Sequence, residues 1–206
     1  LCRSSAASDV YKRQALDWMW LVEQSAGPDL GFLLIDYPGF GECEGSASPE
    51  SILASSKAAW EHWQELYVDQ QTPQIGILGH SLGAAAALQL AETISVERVV
   101  LLSPFTSVAD MVKKMFGSWL IPLLKHRFEN RGPLMQLLKR DPPPSITIIH
   151  GTRDEVIPVE MGRELAALNS EHIHYHELIH SYHNTILQDA LPMVLQELQS
   201  IRELSD

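Results

Sequence analysis

A chain of 206 residues, 45% hydrophobic and 20% charged, has the make-up of a soluble globular domain long enough to bury a substantial core. Its formal net charge of -11 argues against nucleic acid or an anionic membrane surface as a partner, because both select clustered Lys and Arg. The only cysteines, Cys2 and Cys43, exclude a disulfide framework, and no apolar run is long enough for a transmembrane segment, so the expected location is cytoplasmic.

The chain starts at Leu1 rather than methionine, which is the expectation for a fragment, and residues 1–14 show no periodicity and are expected to be a non-native or disordered tail. From Ala15 to Gln24, Leu16, Met19, Trp20 and Leu21 fall at helical spacing before Gly27-Pro28 stops the segment. Gly31 to Asp36 reads as a buried strand, Phe-Leu-Leu-Ile, ending in the turn Asp36-Tyr37-Pro38-Gly39-Phe40-Gly41. Ser48-Pro49-Glu50 is a helix start, with a capping serine and proline at the first helical position. Gln74 to Leu78 is a short apolar strand, Ala84 to Ala91 a helix, and Arg98 to Ser103 a second buried strand.

The alternation pauses between Ser107 and Arg140, where two amphipathic stretches predict a small helical cap over the sheet, about 107–141, lining an apolar substrate pocket. Ile146 to Ile149 is a β-branched strand, a helix follows from about Val159, His172 to Ile179 is the last strand, and a helix closes the chain. The alternation predicts an α/β fold over 15–206, a mostly parallel sheet with helices on both faces. Chemistry in such sheets sits at the carboxyl ends of the strands, where Asp36, Ser81 and Ser103 fall.

The most informative stretch is Gly79-His80-Ser81-Leu82-Gly83, between a strand and an Ala-rich helix. In such a turn the serine takes a strained backbone conformation and its hydroxyl is presented at the helix N-terminus, where the Leu82 N–H is placed to donate to an oxyanion. A serine needs a base within hydrogen-bond reach, and the base needs an acid to fix its tautomer. Asp154 follows a strand by a few residues, with Glu155 as its neighbour and rival; His183 follows the last strand, with His180 as its rival.

In the order Ser, Asp, His, and in Asp36-Tyr37-Pro38-Gly39-Phe40-Gly41, Gly79-His80-Ser81-Leu82-Gly83, Ser103-Pro104-Phe105, His150-Gly151-Thr152-Arg153-Asp154 and His183-Asn184, the chain resembles an α/β-hydrolase of the serine aminopeptidase and esterase-like kind. The resemblance implies Ser81 as nucleophile, Asp154 as orienting acid and His183 as general base. It departs from the family at Cys43, where a serine is common. It departs also in lacking, upstream of Ala15, the His-Gly loop that supplies the second oxyanion donor, so the chain is expected to be a poor catalyst.

Other candidates read as structural. His172, His174 and His176 share one face of a strand but have no carboxylate or cysteine among them, so no metal site is expected. His80 and His150 are expected to be structural, Asp36 a turn anchor, and Trp18, Trp20, Trp60 and Trp63 core-facing. The expected function is hydrolysis of an acyl ester or thioester of small-molecule type, without cofactor. The alternatives are a serine peptidase acting on short peptides and a non-catalytic binding module retaining the fold.

Overall fold

A computed structural model describes residues 15–25, 27, 30–41, 43–66 and 74–203. They fall into two compact units, one within Leu1–Pro73 and one within Gln74–Asp206.

In the first unit a 3-10 turn, Ala15–Trp18, leads into helix α1, Met19–Ser25. Helix α2, Pro49–Leu66, begins as its sequence dictates: the Ser51 N–H donates to the Ser48 hydroxyl (3.1 Å) and the Ser48 N–H to the Ser51 hydroxyl (2.9 Å). This reciprocal pairing satisfies donors that the first helical turn leaves open. The indoles of Trp60 and Trp63 stack at 5.2 Å, half-buried. Asp36 is anchored more remotely than its turn suggests, accepting the Ala15 N–H at 2.6 Å.

The strand expected at Gly31–Asp36 is not found. Residues 31–37 carry no regular secondary structure, and their side chains are half-buried to exposed, Leu33 at 39%. A strand is defined by a neighbour's backbone, and no other strand is described in this unit to supply one.

The second unit is a four-stranded parallel sheet in the order β1-β2-β3-β4, formed by Gly76–His80, Arg98–Leu102, Ser145–Gly151 and Ile173–Leu178. In register, Leu78 faces Val100, Leu101 faces Ile148 and Ile148 faces Tyr175. β2 and β3, with neighbours on both sides, are apolar and almost wholly buried, as parallel central strands must be.

Alternate side chains of β2 and β3 serve two helical layers. Val99, Leu101, Ile146 and Ile148 form one core with α3 (Leu82–Ala91), α5 (Arg131–Leu137) and α6 (Val159–Ala166), through Ala84, Leu88, Leu134 and Leu165. Small alanines along α3 let that helix lie close to the sheet. On the other face α8 (Leu191–Glu203) brings Val194 and Leu198 beside Val100. Its Glu197 accepts from Arg98 Nη1 and Thr147 Oγ1, each at 2.7 Å, so a carboxylate over the sheet has both oxygens paired.

Of the two amphipathic stretches expected to form a cap, the second is α5, whose Leu134 and Leu137 belong to the sheet core. The first is helix α4, Val108–Phe116, followed by a 3-10 helix, Ser118–Leu123, and neither buries a residue. The short helix α7, Ile186–Asp189, links the last loop to α8.

Candidate active site

β1 does not stop at Leu78 but runs to His80, and the Ser81 N–H extends its ladder by one bond, to the Leu102 carbonyl at 3.0 Å. The chain then reverses into α3 with Ser81 at φ 57°, ψ -119°, a region that L-residues avoid. The glycines two residues either side make this possible: a Cβ on Gly79 would lie 2.3 Å from the Gly83 carbonyl oxygen. Leu82 is the first residue of α3, where backbone N–H groups have no intrahelical acceptor.

Asp154 lies three residues beyond β3. Its Oδ1 accepts the N–H groups of Val156 (2.9 Å) and Ile157 (2.7 Å), and its carboxylate is completely enclosed. His150, the penultimate residue of β3 and fully buried, has Nε2 at 3.0 Å from the Ile157 carbonyl and 3.4 Å from Asp154 Oδ2. Burial pushes the carboxyl of Asp154 up, but hydrogen bonds from His150, His183 and the Ile157 N–H outweigh it and hold the group well below the usual carboxylate range. The buried Ser103 hydroxyl makes no hydrogen bond of good geometry and adds only a nearby dipole.

His183 has farther to come. It follows β4, three strands from β1, which at the usual strand spacing is about 14 Å. The loop turns at His180, φ 74°, and crosses back over the end of β3, where the Arg153 N–H donates to the Ser181 carbonyl at 3.1 Å. Gly151 permits the crossing, since a Cβ there would sit 2.3 Å from the Ser181 oxygen.

The result brings three of the four expected residues into one hydrogen-bonded line. His183 Nε2 is 3.1 Å from Ser81 Oγ, and its Nδ1 is 2.8 Å from Asp154 Oδ2. Leu82 adjoins Ser81 at the start of the helix. His180, the rival base, is exposed and bonds through its N–H to Thr152 Oγ1.

Two supports of His183 are not apparent in the sequence. Glu155, read only as a rival acid, accepts the His183 N–H at 3.2 Å. His80 places Nε2 3.0 Å from the His183 carbonyl, with the two rings 4.7 Å apart, so the Nε2–H donates to that carbonyl. Both contacts depend on where the returning loop lands, and only the adjacency of Glu155 to Asp154 hints at one of them. His174 and His176 lie exposed along β4, and among the described residues no group of His, Cys, Asp and Glu could hold a metal ion.

A sequence-family model described as the alpha/beta hydrolase family matches residues 13–140. The chain belongs to the alpha/beta hydrolase family. Relatives of the chain include the uncharacterized protein Rv2307c of Mycobacterium tuberculosis, 32% identical over 70% of this chain and 50% of that one. The uncharacterized protein YfhR of Salmonella typhi is 28% identical over 74% of this chain and 53% of that one. The chain thus spans about half the length of the curated relatives it matches. Among solved structures, the esterase RhEst1 from a Rhodococcus species superposes with a TM-score of 0.66 at 14% identity, covering 92% of this chain and 87% of that one. A monoacylglycerol lipase from Paleococcus ferrophilus gives 0.64 at 18%, covering 92% and 91%. At such identities the likeness is one of fold. No helix among the described residues is long and apolar enough to cross a membrane.

Proposed function

We propose that this hydrolase cleaves small carboxylic esters or thioesters through an acyl-enzyme on Ser81. The observation that carries the reading is the line Ser81 Oγ, His183, Asp154, with separations of 3.1 and 2.8 Å. The esterase and lipase folds it superposes on support the same class of substrate.

In this reading Asp154, kept ionised, accepts the Nδ1–H of His183 and leaves Nε2 with a free lone pair towards Ser81. Nε2 takes the hydroxyl proton as Ser81 Oγ bonds to the carbonyl carbon. The oxyanion forms beside the Leu82 N–H at the positive end of α3. His183 then returns the proton to the departing alcohol or thiol, and water, deprotonated by the same nitrogen, releases the acid and restores Ser81. Leu82 is the donor this reading assigns, and an oxyanion donor of this kind contributes on the order of a hundredfold or more in rate.

The test is labelling by a fluorophosphonate probe, read by peptide mass spectrometry alongside hydrolysis of an aryl-ester series. An adduct on Ser81 is expected, absent in Ser81→Ala and strongly slowed in His183→Ala, with aryl-ester turnover lost in both. A folded chain whose Ser81 takes no label overturns the proposal.

A further inference from the structure

The chain between Ser107 and Glu129 leaves the sheet and comes back to the same place. Ser107 and Glu129 form an antiparallel bridge, the Val108 N–H donates to the Phe128 carbonyl (3.0 Å), and the buried Asn130 side chain donates to the Phe105 carbonyl (2.8 Å). Arg131 closes the same neck through Asp110 at 2.6 Å. What this neck holds out is α4 and the 3-10 helix, which among the described residues pack chiefly against each other.

The excursion is apolar where it is exposed. Met115 is 54% accessible, Phe116 58%, Trp119 74% and Leu123 75%. Large side chains are rarely grouped in this way on a surface that stays in water. Its charge is also the reverse of the chain's. Residues 111–128 contain Lys113, Lys114, Lys125 and Arg127 and no acidic residue, so the rest of the chain stands at -15 against -11 for the whole. Lys114 pairs loosely with Glu164 at 3.4 Å; Lys113, Lys125 and Arg127 are exposed and have no carboxylate partner among the described residues.

We propose that this excursion docks the protein on an anionic phospholipid surface. Trp119, Leu123, Phe116 and Met115 enter the headgroup and upper acyl region, and Lys113, Lys125 and Arg127 meet the lipid phosphates. Whole-chain charge, which by itself argues against such a surface, here acts to orient: the bilayer repels the rest of the chain, at a net -15, and attracts this segment. A second copy of the chain fits less well, because a two-fold interface through this patch sets its cations against themselves.

The experiment is co-sedimentation of the full chain with vesicles of phosphatidylcholine containing phosphatidylserine, and with phosphatidylcholine alone. It is carried out in a Ser81→Ala background, so that docking is read without turnover and stands or falls apart from the proposed hydrolysis. Binding to the phosphatidylserine vesicles, weakened by salt, is expected. Trp119→Ser with Leu123→Ser should reduce it at least about tenfold. Lys113→Gln, Lys125→Gln and Arg127→Gln together should reduce it about a hundredfold, and Lys57→Gln with Lys139→Gln should leave it unchanged. All these side chains are exposed, so circular dichroism of the variants should match the parent. The proposal is overturned if the parent ignores phosphatidylserine vesicles, or if the control pair weakens binding as much as the triple. Self-association that the Trp119 and Leu123 changes abolish, with no vesicle binding, would instead assign the face to a second copy.

Discussion

The loops that follow β1, β3 and β4 and the excursion from Ser107 to Glu129 are both connections carried on the same sheet, yet they are held in opposite ways. Around Ser81, Asp154 and His183 the polar groups close on one another: both oxygens of Asp154, both ring nitrogens of His183 and its backbone N–H and carbonyl all have partners inside the protein. In the excursion the neck is tied to the body of the unit, while beyond it the backbone bonds are local and the large apolar side chains stand mostly in solvent. A segment whose groups are all paired internally is set by the fold. One that leaves large apolar side chains in solvent is held less fully by it.

Breaking the paired region should therefore be costly in a way that breaking the open one is not. The largest effect is expected from Asp154→Asn, which leaves the shape but offers His183 an amide in place of a carboxylate. Ester hydrolysis should fall by about 10⁴-fold if His183 depends on Asp154 for its tautomer. Stability should respond to pH with a definite sign. A carboxyl held below its unfolded value of about 3.9 stabilises the fold above that pH, and the contribution is lost as pH falls towards the folded value. The melting temperature of Asp154→Asn should lie below the parent's at neutral pH, and the gap should narrow on acidification below about pH 4. A gap independent of pH would mean that the ionised carboxylate is not what the fold relies on.

Next comes a matched pair of leucines. Leu101 is fully buried in β2, and Leu123 is among the most exposed side chains of the excursion. Leu101→Ala should cost about 2–5 kcal/mol in urea unfolding, the range for a core leucine that leaves a cavity. Leu123→Ala should change stability by less than about 0.5 kcal/mol. Similar costs for both would show that the excursion is packed in solution and would remove the contrast.

The same distinction explains what the sequence could disclose. Val99 to Leu102 and Phe32 to Ile35 are apolar runs of equal length and read alike, but one is a buried central strand and the other has no regular structure. Periodicity reports the wish to be buried, whereas pairing depends on neighbours distant in sequence. The turn at Ser81 was readable because strand, glycines, serine and helix are contiguous, so the chemistry and the geometry are both local. His183 can be chosen over His180 only on the family's pattern, and its partners Glu155 and His80 are out of reach because they depend on where a loop from β4 lands after crossing back over the end of β3. The stretch from Ser107 to Arg140 shows its helices in the spacing of its apolar residues, but not which faces inward: Leu134 and Leu137 are buried, and Phe116 and Trp119 are in solvent.

The smallest effect tests whether the paired region is satisfied down to its margins. Glu155 is exposed, and among the described residues its Oε2 accepts the backbone N–H of His183 alone, so it acts on the loop rather than on the reacting atoms. Removing an exposed acceptor frees the N–H to bond with water, so the net cost should be about 1 kcal/mol or less. If the bond steadies the loop that brings His183 to Ser81, Glu155→Ala should lower kcat several-fold with KM unchanged, because substrate binding does not require the histidine to be in place. Glu155→Gln keeps an acceptor oxygen at the same reach and should restore most of the lost kcat. If Gln is as impaired as Ala, the contribution of Glu155 lies in its charge and not in the hydrogen bond. If neither variant differs from the parent, the His183 loop is held by His80 and the crossing over Gly151 alone.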